Sequence, residues 1–164
     1  MKEEQFPLVD EDGEVIGQAS RSVCHNGSKL LHPVIHLHVF NKEGRLFLQK
    51  RSENKDIQPG KWDTAVGGHI DFGESVETAL FREAREELGI KEFVPTFMRK
   101  YVYESEIERE LVYTYKTSYE GLFDIDPVEI SEGCFWSLNE IRDKLGQSVF
   151  TPNFEQEFQK LFTL

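Results

Sequence analysis

Gly68-His69-Ile70-Asp71-Phe72-Gly73-Glu74-Ser75-Val76-Glu77-Thr78-Ala79-Leu80-Phe81-Arg82-Glu83-Ala84-Arg85-Glu86-Glu87-Leu88-Gly89-Ile90 is the stretch on which the reading of this chain turns. It opens as a glycine-rich loop and continues with helical periodicity, Val76, Leu80 and Ala84 recurring every fourth residue. Ser75 stands where an N-cap belongs, Glu77 lies in the first turn where the helix dipole favours an acid, and Gly89 follows as a C-terminal stop. The pattern predicts a helix over 75–88.

On that helix Glu83, Glu86 and Glu87 fall at i, i+3 and i+4, so they share one face within about one turn. Three like charges this close repel each other, and a helix built only for stability would interleave lysines. Arg82 and Arg85 are expected to offset part of the charge from other faces. One reading is a solvated acidic surface, which is common on Glu-rich helices. The other is a set of hard oxygen ligands for Mg²⁺ or Mn²⁺, which would remove the repulsion. The loop favours the second. Gly67-Gly68 at a strand end and Gly73 before the helix leave little side-chain bulk, so backbone and phosphate can approach closely.

Outward from this segment the pattern changes to strands. Residues 6–17 read as two short strands around Asp12-Gly13. From Pro33 to Phe40 the chain alternates, with Ile35, Leu37 and Val39 on one face and His36, His38 and Phe40 on the other. The turn Asn41–Gly44 leads to a second strand at 45–50, so the pair is expected to form a hairpin. Further strands are expected at 62–66, 96–103, 111–117 and 134–136. Thr151-Pro152 opens a last helix whose apolar stripe is Phe154, Phe158, Leu161 and Phe162. Interleaved strands and helices predict an α/β fold with a mixed sheet.

The bulk properties narrow the function. The 164 residues fit a single domain, 1–164, and 38% hydrophobic content with 13 Phe supports an ordered core. The formal net charge of −11, from 30 acidic and 19 basic residues, argues against a nucleic-acid polymer or a membrane surface as partner. Cys24 and Cys134 form no CxxC motif, and the N-terminus has no apolar leader stretch, so a cytoplasmic protein is expected.

The segment 68–90 resembles the Nudix box, Gly-x5-Glu-x7-Arg-Glu-U-x-Glu-Glu-x-Gly-U with U aliphatic. Gly68, Glu74, Arg82, Glu83, Glu86, Glu87, Gly89 and Ile90 agree, and only Ala84 is smaller than the usual aliphatic. The resemblance implies an α/β/α sandwich and a Mg²⁺- or Mn²⁺-dependent hydrolase of a small-molecule diphosphate. It implies Glu86 and Glu87 as principal metal ligands, Glu83 as ligand or base, and the Gly68 carbonyl as a further ligand. Arg82 and Glu74 would form the ion pair that ties helix to loop.

Upstream, His32 to Phe40, Arg51, Lys55, Pro59-Gly60-Lys61-Trp62 and Gly68-His69 resemble the isopentenyl diphosphate isomerase branch of the same superfamily. That branch holds a metal with three histidines and two glutamates, matched here by His25, His32, His69, Glu108 and Glu110. Such a set would favour Zn²⁺ or Mn²⁺. A solvated edge around Glu104–Glu110 is the competing reading. The branch also implies Arg51 and Lys55 as phosphate-binding cations. His36 and His38 read as ordinary surface or core histidines, and Trp62 as core.

One departure separates this chain from the isomerases, whose cysteine immediately before Gly-His is Gly67 here. The resemblance therefore implies a hydrolase on an isomerase-like scaffold, with the isomerase and a catalytically silent binding module as alternatives. A homodimer is consistent with relatives but has no sequence feature of its own.

Overall fold

The computed structural model describes residues 3–55 and 57–162. In chain order its elements are β1 (Gln5–Val9), β2 (Val15–Ser20), α1 (Arg21–Cys24), β3 (Leu31–Phe40), β4 (Leu46–Arg51), β5 (Trp62–Thr64), β6 (Val66–His69), α2 (Val76–Leu88), β7 (Thr96–Glu104), β8 (Arg109–Ser118), β9 (Ile130–Trp136), α3 (Leu138–Lys144) and α4 (Pro152–Phe162).

The alternating segment around Ile35 becomes β3, the spine of a seven-stranded mixed sheet. Along its whole length it pairs in parallel with β8, from Leu31 opposite Arg109 to Phe40 opposite Ser118. Its other edge pairs antiparallel with β6, and β7 pairs antiparallel with β8. Ile35, Leu37 and Val39 pack against Ala79, Leu80, Ala84 and Leu88 of α2. On the opposite face, Leu46 and Leu48 of β4 pack with Ile141 of α3 and with Phe150, Phe154 and Phe158. The sheet is thus covered by α2 on one side and by α3 and α4 on the other, the α/β/α sandwich that the sequence led us to expect. β3 is buried on both faces, so His36 and His38, which alternate away from Ile35 and Leu37, are buried as well.

Two expectations need correction. The 33–50 hairpin exists only at its mouth, because β3 and β4 pair solely at Phe40 and Leu46. Beyond that point β4 diverges to pair with β5 and β9, and β6 takes its place beside β3. The single strand expected at 62–66 is two, with the chain crossing at Ala65 from β4 to β3. Apolar alternation fixes which face a residue takes but not which neighbour the strand chooses. The short helices α1 and α3 were not anticipated; α3 carries a capping box in which Ser137 and Glu140 bond each other's backbone N–H.

The other boundaries agree within three residues except at β9, which begins at Ile130, four residues before the strand expected at 134–136. The β1–β2 hairpin turns at Asp12-Gly13, where Asp10 Oδ1 accepts from the N–H groups of Asp12 and Glu14. Its Val9 packs on Leu31 and Leu111, which places this hairpin over the end of β3 where the histidines lie. Among the described residues, no helix is long and apolar enough to cross a membrane.

Candidate active site

The acidic cluster is organised by the two ends of α2. Ser75 caps the start, accepting from the Thr78 N–H at 3.1 Å, and Gly89 ends it at φ 70° in the left-handed region that glycine tolerates. A β-carbon on Gly89 would also collide with Asp124, whose N–H donates to the Leu88 carbonyl. With both ends fixed, Glu83 projects toward the Gly68 loop. A β-carbon at Gly68 would overlap the Glu83 carboxyl, so a side chain there would displace that carboxyl from its present position.

Arg82 sits at the centre of this cluster. Its guanidinium grips Glu74 bidentately, Nε to Oε2 at 2.7 Å and Nη2 to Oε1 at 2.9 Å, and Nη2 also donates to the His69 carbonyl at 3.0 Å. Nη1 donates to Glu83 Oε1 at 2.7 Å and to Glu86 Oε2 at 3.3 Å. The expectation that Arg82 projects to another face is therefore wrong. It is one turn before Glu86, and the loop acceptors draw its long side chain back over the acids. Arg85 does stay on the exposed side.

Glu87 is held deeper. Its Oε2 accepts from the Gly67 N–H at 3.2 Å and its Oε1 from Gln49 Nε2 at 3.3 Å. Burial and the neighbouring Glu83 carboxylate push its pKa well above the ordinary value. Burial also raises Glu83, against the pull of Arg82. Glu86 remains largely exposed. Hard oxygen donors that resist ionisation side by side are a donor set that fits a divalent cation.

A second cluster comes from separate elements. His25 follows α1, His32 lies on β3, His69 ends β6 and Glu108 immediately precedes β8. One ligand atom from each lies within 4.8 Å of all the others. His25 Nε2 is 3.2 Å from His69 Nε2 and 3.0 Å from Glu108 Oε2. Glu110, the fifth residue expected from the sequence, places Oε2 3.9 Å from His69 Nε2. His32 Nδ1–H donates to the Leu30 carbonyl at 2.9 Å, which leaves Nε2 with a lone pair. That Nε2 is buried and has no hydrogen-bond partner, an orphaned acceptor aimed into the cluster. Burial lowers the pKa of His32 and drives that of His69 well down, so both rings are neutral, the form that binds a metal. Glu110 is pushed up to about 8 by burial first and by Glu108 next. These donors fit a nitrogen-preferring divalent ion.

Phe6 of β1 closes the second cluster, stacking on His69 at 4.5 Å between ring centroids and on His32 at 5.8 Å. Sequence reasoning assigned Phe6 no such role. A lone phenylalanine in a hairpin carries no signal of what it covers.

Arg51 and Lys55, the expected phosphate-binding cations, have acidic partners. Arg51 Nε donates to the Ile57 carbonyl at 3.0 Å and its Nη1 lies 3.6 Å from Asp63 Oδ2. Lys55 pairs with Glu129, and both Arg51 and Glu87 act on its ammonium. Trp62 packs half-buried against Trp136, as core.

His36 and His38 are core, as read, but they are also ion-paired. Glu157 of α4 is fully buried and accepts from His36 Nδ1 at 2.8 Å, His38 Nε2 at 2.6 Å and the Tyr101 hydroxyl at 2.5 Å. The signal was available: Glu157 follows Phe154 by three residues, an acid on the apolar stripe of an amphipathic helix, opposite two histidines at i and i+2 of a strand.

Comparison with known proteins places the chain. A family model of the Nudix domain matches residues 30–154. An uncharacterised Nudix hydrolase of Yersinia pestis is 33% identical over 150 residues, covering 92% of this chain and 81% of its own. An isopentenyl-diphosphate Delta-isomerase of Serratia proteamaculans is 30% identical over 152 residues, covering 92% and 84%. Among solved structures, the protein DR0079 of Deinococcus radiodurans superposes with a TM-score of 0.84 at 22% identity, covering 98% of this chain and all of that one, a likeness of fold. This chain belongs to the Nudix family and is a Nudix hydrolase.

Proposed function

We propose that this protein hydrolyses the diphosphate linkage of a small organic diphosphate, nucleoside diphosphate derivatives included, in a reaction that depends on a divalent cation. The observation that carries the reading is the Glu83, Glu86 and Glu87 cluster, ordered by the Arg82–Glu74 pair against the Gly68 loop. Glu86, Glu87 and the Gly68 carbonyl would hold Mg²⁺ or Mn²⁺. When bound, such an ion neutralises phosphate charge and makes a coordinated water more acidic. Glu83, whose pKa burial raises, is suited to take the proton from the attacking water. Arg82 restrains Glu83 and Glu86. Arg51 and Lys55 would exchange their carboxylate partners for the substrate's phosphates. His25, His32, His69, Glu108 and Glu110 would hold Zn²⁺ or Mn²⁺ as a second site.

A second reading, isopentenyl diphosphate isomerisation, draws on the Serratia relative and on the histidine cluster. Gly67 speaks against it, since it has no side chain to deliver a proton where the resemblance calls for a cysteine.

The test is turnover of nucleotide sugars, dinucleotides, nucleoside triphosphates and prenyl diphosphates in Mg²⁺, Mn²⁺ and EDTA. Metal-dependent cleavage of one class, lost in Glu86→Gln, is the expected result. Rearranged isopentenyl diphosphate without phosphate release would overturn the hydrolase reading in favour of the isomerase.

A further inference from the structure

On β3, opposite a backbone position that touches Glu87, stands a histidine that neither cluster uses. His36 lies opposite Gly67 in the β3–β6 register, and Gly67 in turn donates its N–H to Glu87. The ring is anchored from behind through Nδ1, on the buried carboxylate of Glu157. Its other nitrogen, Nε2, has no hydrogen-bond partner among the described residues and is not sealed from solvent, and 11% of the side chain remains exposed. The missing side chain of Gly67 makes this opening: a β-carbon there would stand 3.6 Å from Nε2 and 3.3 Å from Cδ2. A side chain at 67 would therefore begin in contact with this edge of the ring.

We propose that His36 contacts the substrate, its Nε2 presented through the gap at Gly67 to a phosphate oxygen of the bound diphosphate, with Glu157 as the positioning residue that fixes the ring. This rests on the hydrolase reading for the identity of the ligand. The chemistry of the support follows from burial. Glu157 is an anion without solvent, compensated by two imidazoles and a phenol, and an uncompensated buried carboxylate is strongly unfavourable. The pairing depresses Glu157 and lifts His36 to about 9, with Glu110 and Asp63 adding to the lift. A charged imidazole has two N–H donors. One is committed to Glu157, and the other faces the opening. An ion pair serving stability alone could be replaced by apolar residues at little cost and would have no need of a vacant position in front of its second nitrogen.

Methylenediphosphonate, a diphosphate mimic that cannot be hydrolysed, provides the test. Its binding in Mg²⁺ would be measured by calorimetry on the wild type, His36→Gln and Gly67→Ala. His36→Gln leaves Glu157 short of a cation and is at risk of misfolding. Gly67→Ala leaves the Glu157 network intact and sets a methyl group over Nε2. Both variants are expected to bind about tenfold more weakly or worse, the loss associated with one hydrogen bond to a charged group. The ¹⁵N resonance of His36 Nε2 should move when the diphosphonate is added to the wild type. Glu157→Gln should shift that resonance toward neutral imidazole at pH 7.5 and weaken binding in parallel, which loss of packing alone would not do. Wild-type affinity in Gly67→Ala, or an unmoved Nε2 resonance at saturation, would overturn the proposal and make the pair purely structural. Failure of the wild type to bind would also overturn it. Because binding needs no turnover, a negative substrate panel would count against the hydrolase reading and leave this measurement decisive for His36.

Discussion

The α2 cluster and the histidine cluster are built in opposite ways. Glu83, Glu86 and Glu87 come from one helix, and their juxtaposition follows from the helical repeat once Ser75 and Gly89 fix its ends. His25, His32, His69 and Glu108 come from the end of α1, β3, β6 and the start of β8, and meet only because β3 has β6 on one side and β8 on the other. The first cluster is stabilised internally by Arg82, a cation that belongs to the same helix. The second draws its donors from separate elements, with Arg21 near enough to act on His32 and His69, and closes under Phe6. The acids of α2 are thus partly compensated by a cation of their own helix, whereas the second cluster joins imidazoles desolvated by burial to the Glu108 carboxylate.

On that division, the two clusters answer differently to single substitutions. Glu87→Gln should lower kcat/KM by at least about 10²-fold, the scale seen when one group acting on developing transition-state charge is removed. The fold should survive, because relieving repulsion among buried acids does not destabilise. His32→Asn should instead remove one equivalent of tightly bound Zn²⁺ or Mn²⁺, read by elemental analysis of the purified protein. Equal kinetic losses with unchanged metal content would erase the distinction and point to a single site spanning both clusters.

This difference also explains what was legible beforehand. The helix over 75–88, its caps and its acidic face follow from periodicity and local chemistry, so they could be read residue by residue. The position of Arg82 could not, because its partners Glu74 and the His69 carbonyl lie in a loop whose path no spacing rule supplies. The histidine set was named only through resemblance. Its convergence depends on a parallel pairing of β3 with β8, strands far apart in sequence, and on the switch at Ala65 that sends β6 to β3. The same non-local choice defeated the 33–50 hairpin. Glu157 was missed although its charge on an apolar helix face was visible, because nothing in α4 alone says which residues it will meet.

A smaller effect concerns pH. Glu87 and Glu110 both have pKa values raised on folding, Glu110 to about 8. A carboxyl raised in this way binds protons more tightly folded than unfolded, so stability falls as pH rises from its ordinary range through the folded value. His32 and His69, lowered on folding, act oppositely, but only below about 6.5, the ordinary imidazole value. His36, raised to about 9, also loses its contribution as pH rises. The window from pH 6.5 to 8 therefore isolates the groups that weaken the fold on deprotonation. In EDTA the thermal midpoint should drop across it, Mn²⁺ should reduce the drop, and Glu110→Gln should flatten it. A slope that Mn²⁺ leaves untouched would assign the loss to His36, whose proton is held by the Glu157 carboxylate, rather than to either cluster.

The smallest expected change tests how far the local cluster depends on its frame. Ser75 Oγ accepts the Thr78 N–H and donates to Thr78 Oγ1 at 2.9 Å, so Ser75→Ala removes a cap worth about 1 kcal/mol of stability. Chemical denaturation would register that loss. The cap lies at the opposite end of α2 from Glu87, and the Arg82–Glu74 clamp stands between them, so kcat should be unchanged. A fall in kcat beyond what the stability loss explains would mean that the clamp does not fix the acids by itself. The register of the whole helix would then be part of the site, and the α2 cluster would be less local, and more like the histidine cluster, than its contiguous sequence suggests.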